Sequence, residues 1–182
     1  TQHVVGGIWT PSGGMTGRDD VQVVAVCDVN RQRRENAAEL VNQRYGNKDC
    51  AIYADFREVL ARPDIDAVLV ATGDRWHPLM VIHAARAGKD IYCEKPASVT
   101  IQEALAMREA VRRYGIVCQI GTQQRSSHAF RFACELVRNG YIGDVREVVV
   151  AVGGPPPFRD FHKPGQPVPD WLDYNMWLGP AP

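Results

Sequence analysis

Glu94, Lys95 and Pro96 follow one another in the stretch DIYCEKPASVT, Asp90 to Thr100. Apolar residues lead into this triplet from a Gly-Lys-Asp turn, and Thr100 stands where a new helix is to be capped. An ammonium at the mouth of a strand can donate to a substrate hydroxyl or carbonyl. The neighbouring carboxylate can hold that ammonium or a ribose hydroxyl. Pro96 restricts the backbone and keeps Lys95 extended, and a peptide so constrained is open to the cis form. The competing account is a surface turn with an ion pair of little worth.

Other polar residues fall at similar places. The run VQVVAVC, residues 21–27, ends at Asp28, with Asn30 two residues on. A carboxylate ending such a strand accepts from the two hydroxyls of an adenosine ribose, and Asn30 can assist. The alternative is that Asp28 caps the helix that follows. A carboxylate there repels a 2′-phosphate and favours NAD over NADP, whereas Arg31, Arg33 and Arg34 keep NADP in play. The run AVLVA, residues 67–71, ends in TGDRWHP. Thr72 and Gly73 let backbone approach a flat ligand, and Trp76 or His77 can border a nicotinamide ring. Trp76 packed on a sheet, Asp74 as a cap and His77 as a satisfied histidine at a helix start form the other account. The run IVCQI, residues 116–120, ends in GTQQRSS, where Gly121 allows close approach and Gln123 and Gln124 offer amides. Ser126 or Ser127 there is equally suited to cap a helix.

These positions acquire meaning from the elements that carry them. Short β-branched runs alternate with helix-patterned stretches at 31–45, 56–61, 78–87 and 101–114. Gly46, Gly88 and Gly115 follow three of those stretches, where a left-handed C-cap is wanted. Strand–helix alternation with nearly continuous apolar strands predicts an α/β fold, a Rossmann-like doubly wound parallel sheet. Ligands of such sheets bind at the carboxyl ends of the strands, where the residues above stand. After Gly121 one more helix is expected over 127–139. DVREVVVAVGG then reads as a longer alternating strand from Asp144, the start of an α+β C-terminal domain, followed by a Pro/Gly-rich loop. The expected division is residues 1–122 for the dinucleotide-binding domain and 123–182 for the beginning of the second.

Composition removes several function classes. Across 182 residues the formal charge is zero, which points away from nucleic acid, and hydrophobic and charged contents of 45% and 23% are those of a soluble globular protein. No apolar run is long enough to span a membrane. Five scattered cysteines without a CxxC pair argue against a metal site or a disulfide framework and for a reducing cytoplasm. Because the chain begins at Thr1 without a methionine, an exported precursor stays open.

Taken in order, VAVCDVN, VLVATGDRWHPLMVIHAARAGKDIYCEKP, GTQQRS…FACELVRNGYIGDVREV and WLGPAP resemble the glucose–fructose oxidoreductase / inositol dehydrogenase / MocA family, from about Val21 to Pro182. The resemblance implies a Rossmann domain followed by an α+β domain whose sheet forms homo-oligomer contacts. It implies oxidation of a sugar or cyclitol hydroxyl with NAD. Lys95 then contacts the reacting hydroxyl, and Asp28, Thr72, Glu94 and Gln123 stand on the cofactor side. NAD-dependent glycosidases of similar architecture, and a truncated fold that only binds nucleotide or partner chains, are the alternatives.

Two departures follow. In TPSGGMTGRDDVQVV, Gly14 and Gly17 take the second and third places of a GxGxxG-type turn, with Ser12 in the first. Only Arg18, Asp19 and Asp20 then separate Gly17 from Val21, too few for a crossover helix. The helix whose N-terminus would hold a pyrophosphate is therefore expected to be shortened, replaced or absent. The family's catalytic aspartate and histidine belong beyond Pro182, and Asp160 and His162 do not hold the matching places.

Overall fold

The computed structural model describes residues 14–154 and 164–181; Ser12, Asp160 and His162 lie outside them. The described residues form two units, one running to Gly121 and resuming at Val168, the other spanning Thr122–Pro167. The stretch from Val168, which the sequence pattern assigns to the second domain, therefore packs with the first.

The first unit is α/β with parallel sheets. Its elements are β1 (Ala25–Cys27), α1 (Arg31–Tyr45), β2 (Ala51–Tyr53), α2 (Phe56–Leu60), β3 (Ala67–Val70), α3 (His77–Arg86), β4 (Asp90–Cys93), α4 (Ile101–Tyr114) and β5 (Cys118–Ile120). A last short helix, α6 (Tyr174–Leu178), belongs to it as well; α5 (His128–Arg138) lies in the second unit. Strands β3, β4 and β5 pair in parallel in that order, and β1 pairs in parallel with β2 in a separate ladder.

β1, β3 and β5 are shorter than their apolar runs because pairing is set by the partner. β2 is three residues long, and β1 is a ladder strand only where β2 faces it, Ala25 opposite Ala51 through Cys27 opposite Tyr53. Upstream, the Val23 amide donates instead to the Tyr45 hydroxyl at 3.0 Å. β2 itself is missing from the sequence expectation: AIY is too short to register as a periodic run, and its neighbour β1 makes it a strand.

Helix ends follow the chain's own signals. Asn30 caps α1 by accepting from the Arg33 amide, and Thr100 and Glu103 form a reciprocal capping box on α4. Both helices end on glycines in the left-handed region, Gly46 at φ 68° and Gly115 at φ 67°, which release the last turn without a Cβ clash.

The main core lies between the β3–β5 ladder and helices α3 and α4, with Val70, Val81, Ala84, Ala85, Ile91, Cys93, Met107 and Ala110 buried. Full burial of Val81 contributes about 1.5–3 kcal/mol, and the adjoining alanines on α3 let the helix approach closely. A smaller cluster of Ala38, Val41 and Cys50 seats α1 on β1 and β2.

In the second unit, α5 follows a 3₁₀ turn over Gln123–Ser126, and Ser127 precedes it without a side-chain capping bond. The expected strand from Asp144 does not form: residues 145–154 pair with no strand among the described residues. Val148, Val149, Val150 and Val152 are 74–84% exposed. Their β-branched run predicts a strand, but a strand needs a ladder neighbour, and the described residues of this unit contain no other.

Candidate functional site

The expected site residues sit where parallel strands end. Thr72 follows β3, Glu94 and Lys95 follow β4, Gly121 follows β5, and Asp28 follows β1. Parallel pairing of β3, β4 and β5 brings the first three positions to one edge of the ladder.

At the end of β1, Asp28 donates its amide to Tyr53 O at 3.3 Å, and its Oδ1 accepts from the Asn30 amide at 2.8 Å. Among the described residues its Oδ2 accepts nothing, so one carboxylate oxygen is available to a hydroxyl donor. Asn30, not Asp28, caps the helix, accepting from Arg33 N at 3.1 Å, which leaves its amide donors. Arg34 donates to Asp28 O at 3.0 Å and fixes the turn from below.

At the end of β3, Thr72 and Gly73 are exposed, and the Thr72 hydroxyl reaches Gly73 O at 3.4 Å. His77 is 1% exposed, with Nε2 3.1 Å from Thr72 O and Nδ1 2.7 Å from Pro96 O. Its ring thus staples the β3 end to the triplet after β4. Trp76 lies edge-on to Phe56 at 5.9 Å, so its body packs within the protein. Asp74 accepts from the Arg75 amide at 2.9 Å.

At the end of β4, Glu94 is 9% exposed and joins the ladder through its amide to Val70 O at 2.8 Å. Its Oε2 accepts from the Lys95 amide at 3.1 Å, while the Lys95 side chain is exposed. The Lys95–Pro96 peptide is cis. Gly121, pinned by its amide to Cys93 O at 2.7 Å, backs the carboxylate. A Cβ at Gly121 would stand 3.0 Å from Tyr92 Oη and 3.1 Å from Glu94 Oε1. The close approach expected at this glycine is therefore to Glu94. Burial, and then the Glu94 charge, push the Tyr92 hydroxyl above its ordinary range, so it is a neutral phenol at physiological pH.

The glycine-rich stretch carries less. Gly14, at φ 59°, precedes a 3₁₀ turn over Met15–Gly17 in place of the crossover helix. Arg18 beside it is paired with Asp20 at 2.7 Å, and Asp19 and Asp20 give that loop an acidic character ill suited to phosphate. The described residues offer a hydroxyl acceptor at Asp28 and supply no helix at Gly17 for a pyrophosphate. Gln123 lies in the second unit, at the start of its 3₁₀ turn. Among the described residues no His/Cys/Asp/Glu group is arranged to hold a metal ion, and no helix is long and apolar enough to cross a membrane.

One contribution has no counterpart in the sequence expectation. Residues 171–179 run from the Asp28 turn to the Thr72–Trp76 turn, through an antiparallel bridge between Asn30 and Leu172 and bonds from Arg75 to the end of α6. Its one sequence-visible sign is the glycine of WLGPAP, Gly179 at φ 57°.

A parallel α/β unit with polar residues gathered at its strand ends has the architecture of a dinucleotide-binding domain. Residues 6–122 match the oxidoreductase family described as having an NAD-binding Rossmann fold, and the chain belongs to that family. It is 30% identical over 139 residues to a myo-inositol 2-dehydrogenase of Thermotoga maritima, covering 76% of this chain and 40% of that protein. It is 40% identical over 86 residues to an NAD(+) scyllo-inositol 2-dehydrogenase of Bacillus subtilis, covering 47% and 25%. The fold is shared with a scyllo-inositol dehydrogenase from Lactobacillus casei solved with NAD(H) and scyllo-inositol, with a TM-score of 0.64 and 23% identity over 71% of this chain and 37% of that one. The chain thus spans two fifths or less of these relatives' length.

Proposed function

We propose that this chain supplies the cofactor half of a nicotinamide-dependent oxidoreductase acting on a sugar or cyclitol hydroxyl. The observation that carries this reading is the Asp28 carboxylate at the end of β1, with one oxygen engaged by the Asn30 amide and the other open. Asp28 accepts from adenosine ribose hydroxyls, and Asn30 donates beside it. Thr72, Gly73 and Glu94 line the cofactor side, with Trp76 and His77 acting from behind as packing and staple. Gly14 and Gly17 are left the pyrophosphate side. Bound NAD supplies the hydride acceptor. Lys95 donates to the substrate oxygen and orients it, and the buried Glu94 fixes the backbone from which Lys95 projects. The activities of the relatives on inositols support the substrate class.

Asp28 favours NAD over NADP because its charge repels a 2′-phosphate; Arg31 is partly engaged by Asp170 at 3.4 Å. Homo-oligomerisation through residues 144–152 is part of the same reading, supported by the exposure of Val148, Val149 and Val150. Five free cysteines support a reducing, cytoplasmic setting.

Isothermal titration tests the core of this reading. NAD is expected to bind more tightly than NADP, and Asp28→Ala to cost about 2 kcal/mol, roughly thirtyfold in Kd, for a lost charge-assisted hydrogen bond. No heat with millimolar NAD would sink it.

A further inference from the structure

Strands β1 and β3 belong to different ladders, and among the described residues no hydrogen-bonded strand joins them. The turns that follow them are nevertheless tied together by residues 171–179. At one end of this segment the Arg31 amide donates to Trp171 O at 2.8 Å and the Asp173 amide to Val29 O at 3.1 Å, which brackets Asn30 opposite Leu172. In the middle, Asp173 caps α6 by accepting from the Met176 amide at 2.9 Å. At the far end, Arg75 Nε donates to Leu178 O at 3.0 Å and Nη2 to Trp177 O at 2.5 Å. Its guanidinium carbon lies 4.7 Å from the Trp177 ring centroid. Trp76 Nε1 reaches Trp177 O at 3.4 Å, and Gly179 passes so close to the Trp76 indole that a Cβ would stand 2.3 Å from it.

The carbonyls of Trp177 and Leu178 lack intrahelical partners at the end of a five-residue helix, and Leu178 O also accepts from the Ala181 amide at 3.2 Å. A guanidinium satisfies two such acceptors at once and its charge favours the negative end of the helix dipole. A helix of this length does not hold itself in water, so its order depends on the cap at Asp173 and the clasp at Arg75.

We infer that residues 171–179 form a strap across the strand ends, and that Arg75 is the positioning residue that fastens it and so holds the turn over residues 28–31. Arg75 touches no cofactor in this scheme; it acts through Trp177, Leu178 and the bridge to Asn30. The consequence for cofactor affinity rests on the nicotinamide reading above, whereas the consequence for the order of the turn does not.

Amide hydrogen exchange on the intact protein separates the two. Arg75→Met keeps an unbranched apolar side chain and removes every side-chain donor. It should lower protection of the Arg31 and Asp173 amides by about tenfold or more, the worth of the lost charged bonds. The Ile91, Glu94 and Gly121 amides of the β3–β5 ladder should keep theirs, which reports that the fold is intact. Arg75→Lys should restore part of the protection. Gly179→Ala, which drives a Cβ into Trp76, should loosen the same two amides from the opposite side. Where NAD binds the parent protein, its Kd should rise about three- to tenfold in Arg75→Met, as a turn must be ordered on binding. Unchanged protection of Arg31 and Asp173 in both variants overturns the strap. Lost protection with an unaltered NAD Kd overturns its role in holding Asp28. If the parent protein binds no NAD, the nicotinamide reading fails, and the exchange data alone decide the strap.

Discussion

Gly121→Ala is the sharpest test of how the Glu94 site is built. The Gly121 amide is held to Cys93 O at 2.7 Å, so the backbone cannot retreat without loss of a ladder bond. The new methyl would meet Tyr92 Oη at 3.0 Å, Glu94 Oε1 at 3.1 Å and Glu94 Cδ at 3.2 Å, each a few tenths of an ångström inside ordinary contact. Glu94 is anchored at its amide and, through Oε2, to the Lys95 amide at 3.1 Å. Overpacking of this kind costs about 1–3 kcal/mol. Replacing glycine where φ is not positive returns about 0.4–1 kcal/mol by stiffening the unfolded chain. The balance is a net loss of about 0.5–2 kcal/mol, a few degrees in Tm for a chain of this size. Urea denaturation would read it directly. Tyr92→Phe removes the nearest of the three atoms, so the double variant should recover part of the loss, a coupling visible in a double-mutant cycle. A Gly121→Ala protein as stable as its parent, or a cycle with no coupling to Tyr92, would refute the packing argument.

Two further outcomes follow from charge and burial. The Arg57 guanidinium, bonded to the Asp55 cap of α2 through Nε at 2.8 Å, holds the Asp55 carboxyl below its usual range. A depressed carboxyl stabilises the fold above its unfolded value and loses that contribution as pH falls through the folded one. Asp55→Asn keeps the cap acceptor, so it should cost about 0.2–1 kcal/mol at pH 7 and nothing measurable once both forms are protonated. An equal deficit at pH 7 and pH 3 in urea titrations would contradict the pairing. Cys93 is fully buried, and burial, then Cys118 and Glu94, push its thiol up to about 12. At pH 8 iodoacetamide should therefore label the exposed Cys134 and leave Cys93 untouched until the protein unfolds; peptide mapping that finds both labelled at one rate would count against this core.

Much of the site is legible along the chain because it is local. Asp28, Thr72, Glu94, Lys95 and Gly121 each follow an apolar run, and parallel pairing of β3, β4 and β5 puts all but Asp28 on one edge of a single ladder. Capping residues such as Asn30 and Thr100 act within three or four residues of themselves, so their roles too are written locally. The sequence accounts equally for the shortfall at Gly17: three residues before Val21 are too few for a crossover helix, and a 3₁₀ turn stands there.

What the tertiary structure alone decided is where each side chain spends its polar groups. His77 and Trp76 sit in a suggestive motif, yet packing buries the first between two carbonyls and sets the second against Phe56 and Gly179. β2 is a strand because β1 lies beside it, and residues 145–154 are none because nothing described lies beside them. The strap joins Arg75 to Trp177 and Leu178 across about a hundred residues, at separations of 102 and 103 in the chain. Periodicity and spacing carry no information over that distance, because such a contact is selected by the packed surfaces that meet, not by the segments that supply them.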